Sequence, residues 1–244
     1  MDKKLLVVFF FWGFAYSAAG QKGYPINTDR PDQSDGTYTL PKNYYQLETG
    51  VLYGRESDDY FYHNIMLRYG LLSKTELQLL LDYGTRNTET GIMPAGLSVK
   101  QQLLSQKSPL PDITAVVNLR FPFLATNNFK PDKLPVDFLL AFENELSDQF
   151  SAGYNFGLSF DGESTRNDWV LTTSVSWAPV KEVAFFFFFF SRFSGISSPD
   201  HNIDAGILWL LKNNLQLDIG VGSTIFKDRK NQFITMGVSY RFKE

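Results

Sequence analysis

Residues 150–160 read Phe-Ser-Ala-Gly-Tyr-Asn-Phe-Gly-Leu-Ser-Phe. Phe150, Ala152, Tyr154, Phe156, Leu158 and Phe160 are apolar or aromatic, and every residue between them is small or polar. Successive side chains of a strand point to opposite faces, so this stretch is a strand with one greasy face and one small, polar face. Residues 112–121 follow the same rule. Ile113, Ala115, Val117, Leu119 and Phe121 lie on one side, with Asp112, Thr114, Asn118 and Arg120 on the other. In residues 215–222, Leu215, Leu217, Ile219 and Val221 alternate with Gln216, Asp218, Gly220 and Gly222.

The period of two begins at Lys42 and runs to the end of the chain. It predicts twelve strands, over 43–54, 59–70, 74–84, 96–104, 112–122, 135–146, 149–160, 168–178, 181–192, 202–211, 214–225 and 232–242. Each has about the 9–11 residues that a tilted strand needs to cross a bilayer. The links alternate in length. Leu71–Ser73, Ser147–Asp148, Pro179–Val180 and Lys212–Asn213 are tight, whereas Thr85–Ala95, Pro122–Leu134, Asp161–Asn167 and Arg192–His201 are long and polar. Arg55–Asp58 and Leu104–Pro111 depart mildly from that order. Alternating link length is the sidedness of a transmembrane barrel, with short turns on the periplasmic side and long loops outside. A soluble β-sandwich shares the polar–apolar alternation but has no reason to alternate its links. Tyr44, Tyr45, Tyr53, Tyr69, Tyr83, Trp169, Trp177 and Trp209 fall near strand ends, where aromatic girdles meet the two membrane surfaces. The expected fold is therefore all-β: an antiparallel transmembrane β-barrel of about 12 strands over residues 42–244.

What precedes the barrel divides in two. Residues 1–20 read as a secretory signal peptide, with Lys3 and Lys4, an apolar stretch over Leu5–Ala15, and small residues at Ser17, Ala18, Ala19 and Gly20. The alternative is an N-terminal anchor. Removal of residues 1–20 takes away Asp2, Lys3 and Lys4 and moves the net charge from −3 to −4. Residues 21–41 are irregular, rich in polar residues, with three prolines. They are either a loose periplasmic tail or a plug in the lumen, where Asp29, Arg30 and Asp32 would pair with charges on the wall.

Composition narrows the chemistry. The chain has 244 residues, no cysteine and two histidines. That excludes disulfides, thiolate metal sites and cysteine nucleophiles, and leaves little for a metal cluster; no metal and no cofactor are expected. A slightly acidic chain with 23 basic and 26 acidic residues has no nucleic-acid footprint.

If the apolar faces meet lipid, the opposite faces line the lumen. That inward set holds Glu48, Arg68, Glu76, Asp82, Lys100, Asp112, Arg120, Asp137, Glu143, Asp204, Asp218 and Arg241. It is either a polar path that selects solutes by charge and size or a ladder of salt bridges that fills the barrel. Twelve strands about 4.8 Å apart and tilted by about 40° give a wall of roughly 12 Å radius, so only small solutes fit. In the run Phe185–Phe190, alternation points Phe185, Phe187 and Phe189 to lipid and Phe186, Phe188 and Phe190 inward. The inward rings either contact a hydrophobic or aromatic solute or pack against the N-terminal segment, Tyr62 and Met66.

A family resemblance joins these pieces. Thr28-Asp29-Arg30-Pro31-Asp32-Gln33, Leu40-Pro41-Lys42 and Gln46-Leu47-Glu48-Thr49-Gly50 resemble the opening of the "Putative MetA-pathway of phenol degradation" family of outer-membrane proteins. The likeness continues through Leu67-Arg68-Tyr69-Gly70, Glu76-Leu77, Glu145-Leu146-Ser147-Asp148 and Gly153-Tyr154-Asn155. It ends with Asn214-Leu215-Gln216-Leu217-Asp218 and Gly237-Val238-Ser239-Tyr240-Arg241-Phe242. It implies a monomeric outer-membrane barrel with a transport role, in contact with outer-membrane lipid and inserted by the barrel-assembly machinery. One departure is that Lys243 and Glu244 follow Phe242, where such barrels commonly end on an aromatic residue.

Three functions follow. The first is a passive channel for small, hydrophobic or aromatic solutes. The second is a closed structural or interaction barrel. The third is a lipid-modifying enzyme, which would need a serine within reach of His63 on the apolar face of the second strand and a group to orient the ring. The nearby serines, Ser73 and Ser98, sit at other heights. His201, beside Asp200, is expected in an external loop.

Overall fold

The structure, a computed structural model, describes residues 25–31, 34–86, 88–105, 110–163, 167–195, 198–227 and 230–243. The leader assigned to residues 1–20 lies outside them. Twelve long strands close on themselves: β1 Tyr44–Arg55, β2 Asp59–Leu72, β3 Thr75–Arg86, β5 Ala95–Leu104, β6 Asp112–Phe121, β7 Val136–Glu145, β8 Phe150–Phe160, β9 Asp168–Val180, β10 Val183–Phe193, β11 Asp200–Lys212, β12 Leu215–Ile225 and β13 Gln232–Lys243. A thirteenth short strand, β4 Glu89–Ile92, pairs only with the outer end of β3. Every neighbouring pair is antiparallel. The barrel shuts where β1 meets β13, from Tyr44 opposite Lys243 to Arg55 opposite Gln232. Closure leaves no unpaired edge in the wall, which is what hydrocarbon demands of a spanning sheet.

The expected strands agree with these within two residues at nearly every boundary. Three details correct the sequence reading. The loop expected over Thr85–Ala95 carries the β3–β4 hairpin, and the loop after β6 folds into two single 3-10 turns, Pro122–Leu124 and Asn127–Phe129. His201 belongs to β11, paired with Ser191 of β10, and not to a loop.

Burial is inverted relative to a soluble protein. Leu47, Leu67, Leu79, Leu97, Phe138, Phe156, Phe187 and Val221 are exposed on the outer face, while Glu48, Arg68, Glu76 and Lys100 are fully buried. The outward aromatics pair across strands. At the short-turn end Tyr45 stacks on Tyr69 at 4.7 Å and on Phe242 at 5.5 Å, and Trp177 stacks on Phe150 and Phe185. At the long-loop end Phe156 stacks on Trp169 at 4.9 Å. These two belts fit the membrane surfaces.

The three tryptophans of the barrel, Trp169, Trp177 and Trp209, all stand on the outer face. In protein prepared from residue 21 and folded into bilayers, brominated lipid chains should quench most of the tryptophan emission and aqueous iodide very little. The reverse pattern would contradict a lipid-facing outer surface.

Candidate functional site: the lumen and its N-terminal segment

Residues 25–31 run from the short-turn end to the middle of the barrel, and residues 34–41 lead back toward that end. Ile26 N donates to Asn213 O at 2.8 Å in the β11–β12 turn, and Arg241 Nη1 donates to Pro25 O at 3.3 Å. On the way back, Thr114 Oγ1 donates to Thr37 O at 2.6 Å, and Asn43 N donates to Gly70 O at 2.9 Å. The segment has no secondary structure, and several of its backbone groups pair with the wall instead.

At its centre is a buried charge cluster. Arg68 of β2 donates to Glu76 of β3 at 2.6 and 3.0 Å and to Glu48 of β1 at 2.7 Å. The two flanking acids sit on the flanking strands because Gln46 pairs with Arg68 in register, and Glu76 lies two residues from Gln78, the other partner of Arg68. Lys100 of β5, directly opposite Glu76, donates instead to Asp29 of the N-terminal segment, at 2.8 and 2.9 Å. Asp29 also receives Gln78 Nε2 at 2.9 Å and Gly36 N at 3.1 Å, and lies 3.4 Å from Arg68. Glu48 accepts the backbone N–H groups of Asp29 and Arg30, and Glu76 that of Leu40 at 2.7 Å. Burial opposes the charge on Asp29, but Arg68 and Lys100 outweigh it and hold the carboxyl below its ordinary range. On nearby Asp35 burial prevails and lifts the carboxyl to about 6.

A second anchor holds Arg30. Its Nη2 lies 3.2 Å from Asp218 Oδ1 and 3.0 Å from Thr235 Oγ1. The guanidinium lies flat on the wall where Gly50 of β1 faces Gly237 of β13. A Cβ on Gly237 would come within 2.5 Å of Arg30 Nε, and one on Gly50 would collide with Arg30 Nη2. Two glycines in register therefore make the niche that an arginine fills.

The other expected lumen residues are spread along the barrel. Glu143 accepts Thr37 Oγ1 at 2.8 Å, joining wall to segment. Asp82 pairs with Arg120 at 2.8 Å and accepts Asn64 Nδ2, well outward of the cluster. Asp137 accepts Ser159 Oγ at 2.6 Å. Arg241, besides its contact with Pro25, donates to Asn213 O at 3.4 Å. Asp32, expected beside Asp29 and Arg30, lies outside the described residues. The inward rings divide. Phe188 is fully buried and tilts against Phe190 at 5.8 Å, while Phe186 lies over Gly206 and Gly220.

The segment splits the lumen into two chambers. The inner one, about 310 Å³, is lined by Glu143, Asn155, Ser174, Lys181, Phe186 and Gln216 among others. The outer one, about 650 Å³, has Tyr60, Tyr62, Asp82, Arg120, Phe190 and Phe233 in its wall. Arg30 and Pro31 line both, so they form the partition. The sequence reading did not single out Phe233 or the Gly50–Gly237 niche. Phe233 shares the inward parity of Thr235, which was the available signal.

Each histidine meets a hydroxyl of the neighbouring strand. His63 Nε2 is 2.9 Å from Thr49 Oγ1, whose hydroxyl also donates to Asn64 O. His201 Nδ1 is 2.7 Å from Ser191 Oγ, but Ser191 is only 1 % exposed and His201 is enclosed by Phe189, Phe193 and Phe226. Both pairs join adjacent strands as cross-strand hydrogen bonds.

Comparison with solved structures supports the same architecture. An outer membrane channel from Pseudomonas putida F1 superposes with a TM-score of 0.70 at 12 % identity, covering 86 % of this chain and 100 % of that one. The NanC porin gives 0.60 at 10 % identity, with 80 % and 98 % covered, and the KdgM porin 0.57 at 12 %, with 80 % and 99 % covered. No curated protein matches the sequence. The family model for "Putative MetA-pathway of phenol degradation" matches residues 28–242, from within the lumenal segment to the last strand. The chain belongs to that family of outer-membrane β-barrels.

Proposed function

We propose that the protein is a passive outer-membrane channel for small solutes, hydrophobic and aromatic ones among them, exported by a cleaved leader and acting as a monomer. The N-terminal segment serves as its plug. The observation that carries this reading is the pair of chambers in the lumen, with Arg30 and Pro31 in the lining of both. Inward charges such as Asp82, Arg120 and Glu143 line that path, and the rings of Tyr60, Tyr62, Phe190 and Phe233 offer apolar contact in the outer chamber. A channel name attaches to the Pseudomonas putida F1 structure, and porin names attach to the two others. We assign no enzymatic step.

The competing reading is a sealed structural barrel, and it draws on the same plug. Planar-bilayer recording separates the two. The wild-type protein should give small, discrete steps. Asp29→Ala removes the carboxylate that holds Lys100, Arg68 and Gln78, and Gly237→Val fills the Arg30 niche; each should raise the step at least twofold. Folded barrels with no current in all three would favour the sealed reading.

The charge cluster also sets a stability difference. Arg68→Met leaves Glu48, Glu76 and Asp29 short of a buried counter-charge and should cost about 3–5 kcal/mol. Arg55→Ala removes a pair whose side chains are 70 % and 45 % exposed and should cost under about 0.5 kcal/mol. Urea unfolding of the bilayer-inserted barrel measures both, and equal losses would show that the cluster adds nothing beyond surface pairing.

A further inference from the structure

Asp204 projects inward from β11 and is 5 % exposed. Its Oδ1 is buried with no hydrogen-bond partner, and no ion pair reaches it among the described residues. The other buried acids of the wall are answered: Glu48 and Glu76 by Arg68, Asp218 by Arg30. The register shows what surrounds Asp204 instead. Phe188 stands directly opposite on β10 and Gly222 directly opposite on β12. Gly222 faces Phe233 of β13, and the missing side chain lets the Phe233 ring lie over β12; a Cβ there would collide with Phe233 Cζ and come within 2.8 Å of Asp204 Cβ. One step toward the short-turn end, the Phe186 ring spreads over Gly206 and Gly220, 2.5 Å from where a Cβ of Gly206 would be. Three benzyl rings thus stand around one carboxyl group, two of them, Phe186 and Phe233, let in by Gly206, Gly220 and Gly222.

A lone carboxylate in apolar surroundings is costly and is relieved by a proton or by a cation. Aromatic faces attract cations and add nothing for an anion. A ligand that satisfies carboxylate and rings together carries a positive charge on an organic body. We propose that Asp204, with Phe186, Phe188 and Phe233, forms a binding site for a small organic ammonium ion at the level where the two chambers meet. Phe186 lines the inner chamber and Phe233 the outer one, whereas Asp204 and Phe188 are in neither lining, so the two rings are the part of the site that faces the chambers. Its place on a solute path rests on the channel reading; its occupancy does not.

The probe is benzyltrimethylammonium, titrated calorimetrically into the protein from residue 21 in a maltoside detergent, with benzyl alcohol as the neutral comparison. The ammonium ion should bind one to one, and the alcohol at least tenfold more weakly. Asp204→Asn should weaken ammonium binding at least tenfold and Phe233→Leu several-fold, while Asp59→Asn, an exposed change, leaves it as it was. Heat-modifiable migration identifies the folded variants, and either lumen variant suffices if the other fails to fold. No binding by the wild type, equal binding by the folded variants, or alcohol binding as tight as the ion would each overturn the site. A barrel that binds the ion but carries no current would overturn the channel reading alone.

Discussion

Everything in the lumen depends on one electrostatic constraint: two cations on the wall, Arg68 and Lys100, and the carboxylates that answer them. Arg68 finds Glu48 and Glu76 on its own neighbouring strands. Lys100 finds Asp29, which the wall does not supply. A charge taken out of water without a partner is costly, so a lysine at the centre of the barrel needs the N-terminal segment in place. The acids flanking Arg68 also accept backbone N–H groups of Asp29, Arg30 and Leu40, which an irregular segment presents unpaired. Wall and segment therefore complete each other. Once Asp29 is fixed, Arg30 lands on the Gly50–Gly237 niche, and the division into two chambers follows.

The outer surface obeys a simpler rule. Hydrocarbon accepts apolar side chains and rejects unpaired backbone, so a closed antiparallel wall with Leu, Phe, Val and Trp outward satisfies both conditions. Because side chains alternate, the same strands deliver the polar set inward. A one-residue slip of any strand would send charges such as Lys100 into lipid and Val99 into the cluster, which pins the register more tightly than the turns do.

Alternation made the fold legible from the sequence. Strand 150–160 shows why: its two faces differ at every position, and membrane-length segments like it repeat with links of alternating length. The same parity set the inward list, from Glu48 to Arg241, and the orientation of the Phe185–Phe190 run. Pairing was not legible. Nothing in the spacing joins Asp29 to Lys100 or Arg30 to Asp218, because those contacts depend on the path of a segment with no period. The hairpin at β4 escaped for a related reason: Glu89–Ile92 pair with the long-loop end of β3, where no apolar face is required. The long polar link Arg192–His201 points His201 to a loop, yet its ring sits in an aromatic cluster on β11. The frame around Asp204 needed the register of four strands, since the glycines that admit Phe233 and Phe186 lie on different strands from the rings.

The central claim is that residues 25–31 and 34–41 occupy the lumen of the inserted barrel, held by the wall. The chain has no native cysteine, so a Thr37→Cys, Thr114→Cys pair reports on this without background. The two positions are joined by one hydrogen bond between the segment and β6. In native outer membranes under mild oxidation, this pair should form an internal disulfide in most molecules, and a pair joining Thr37→Cys to the outward Ala115→Cys should not. A segment that hangs free in the periplasm would give no disulfide at either pair, and that result would contradict the account.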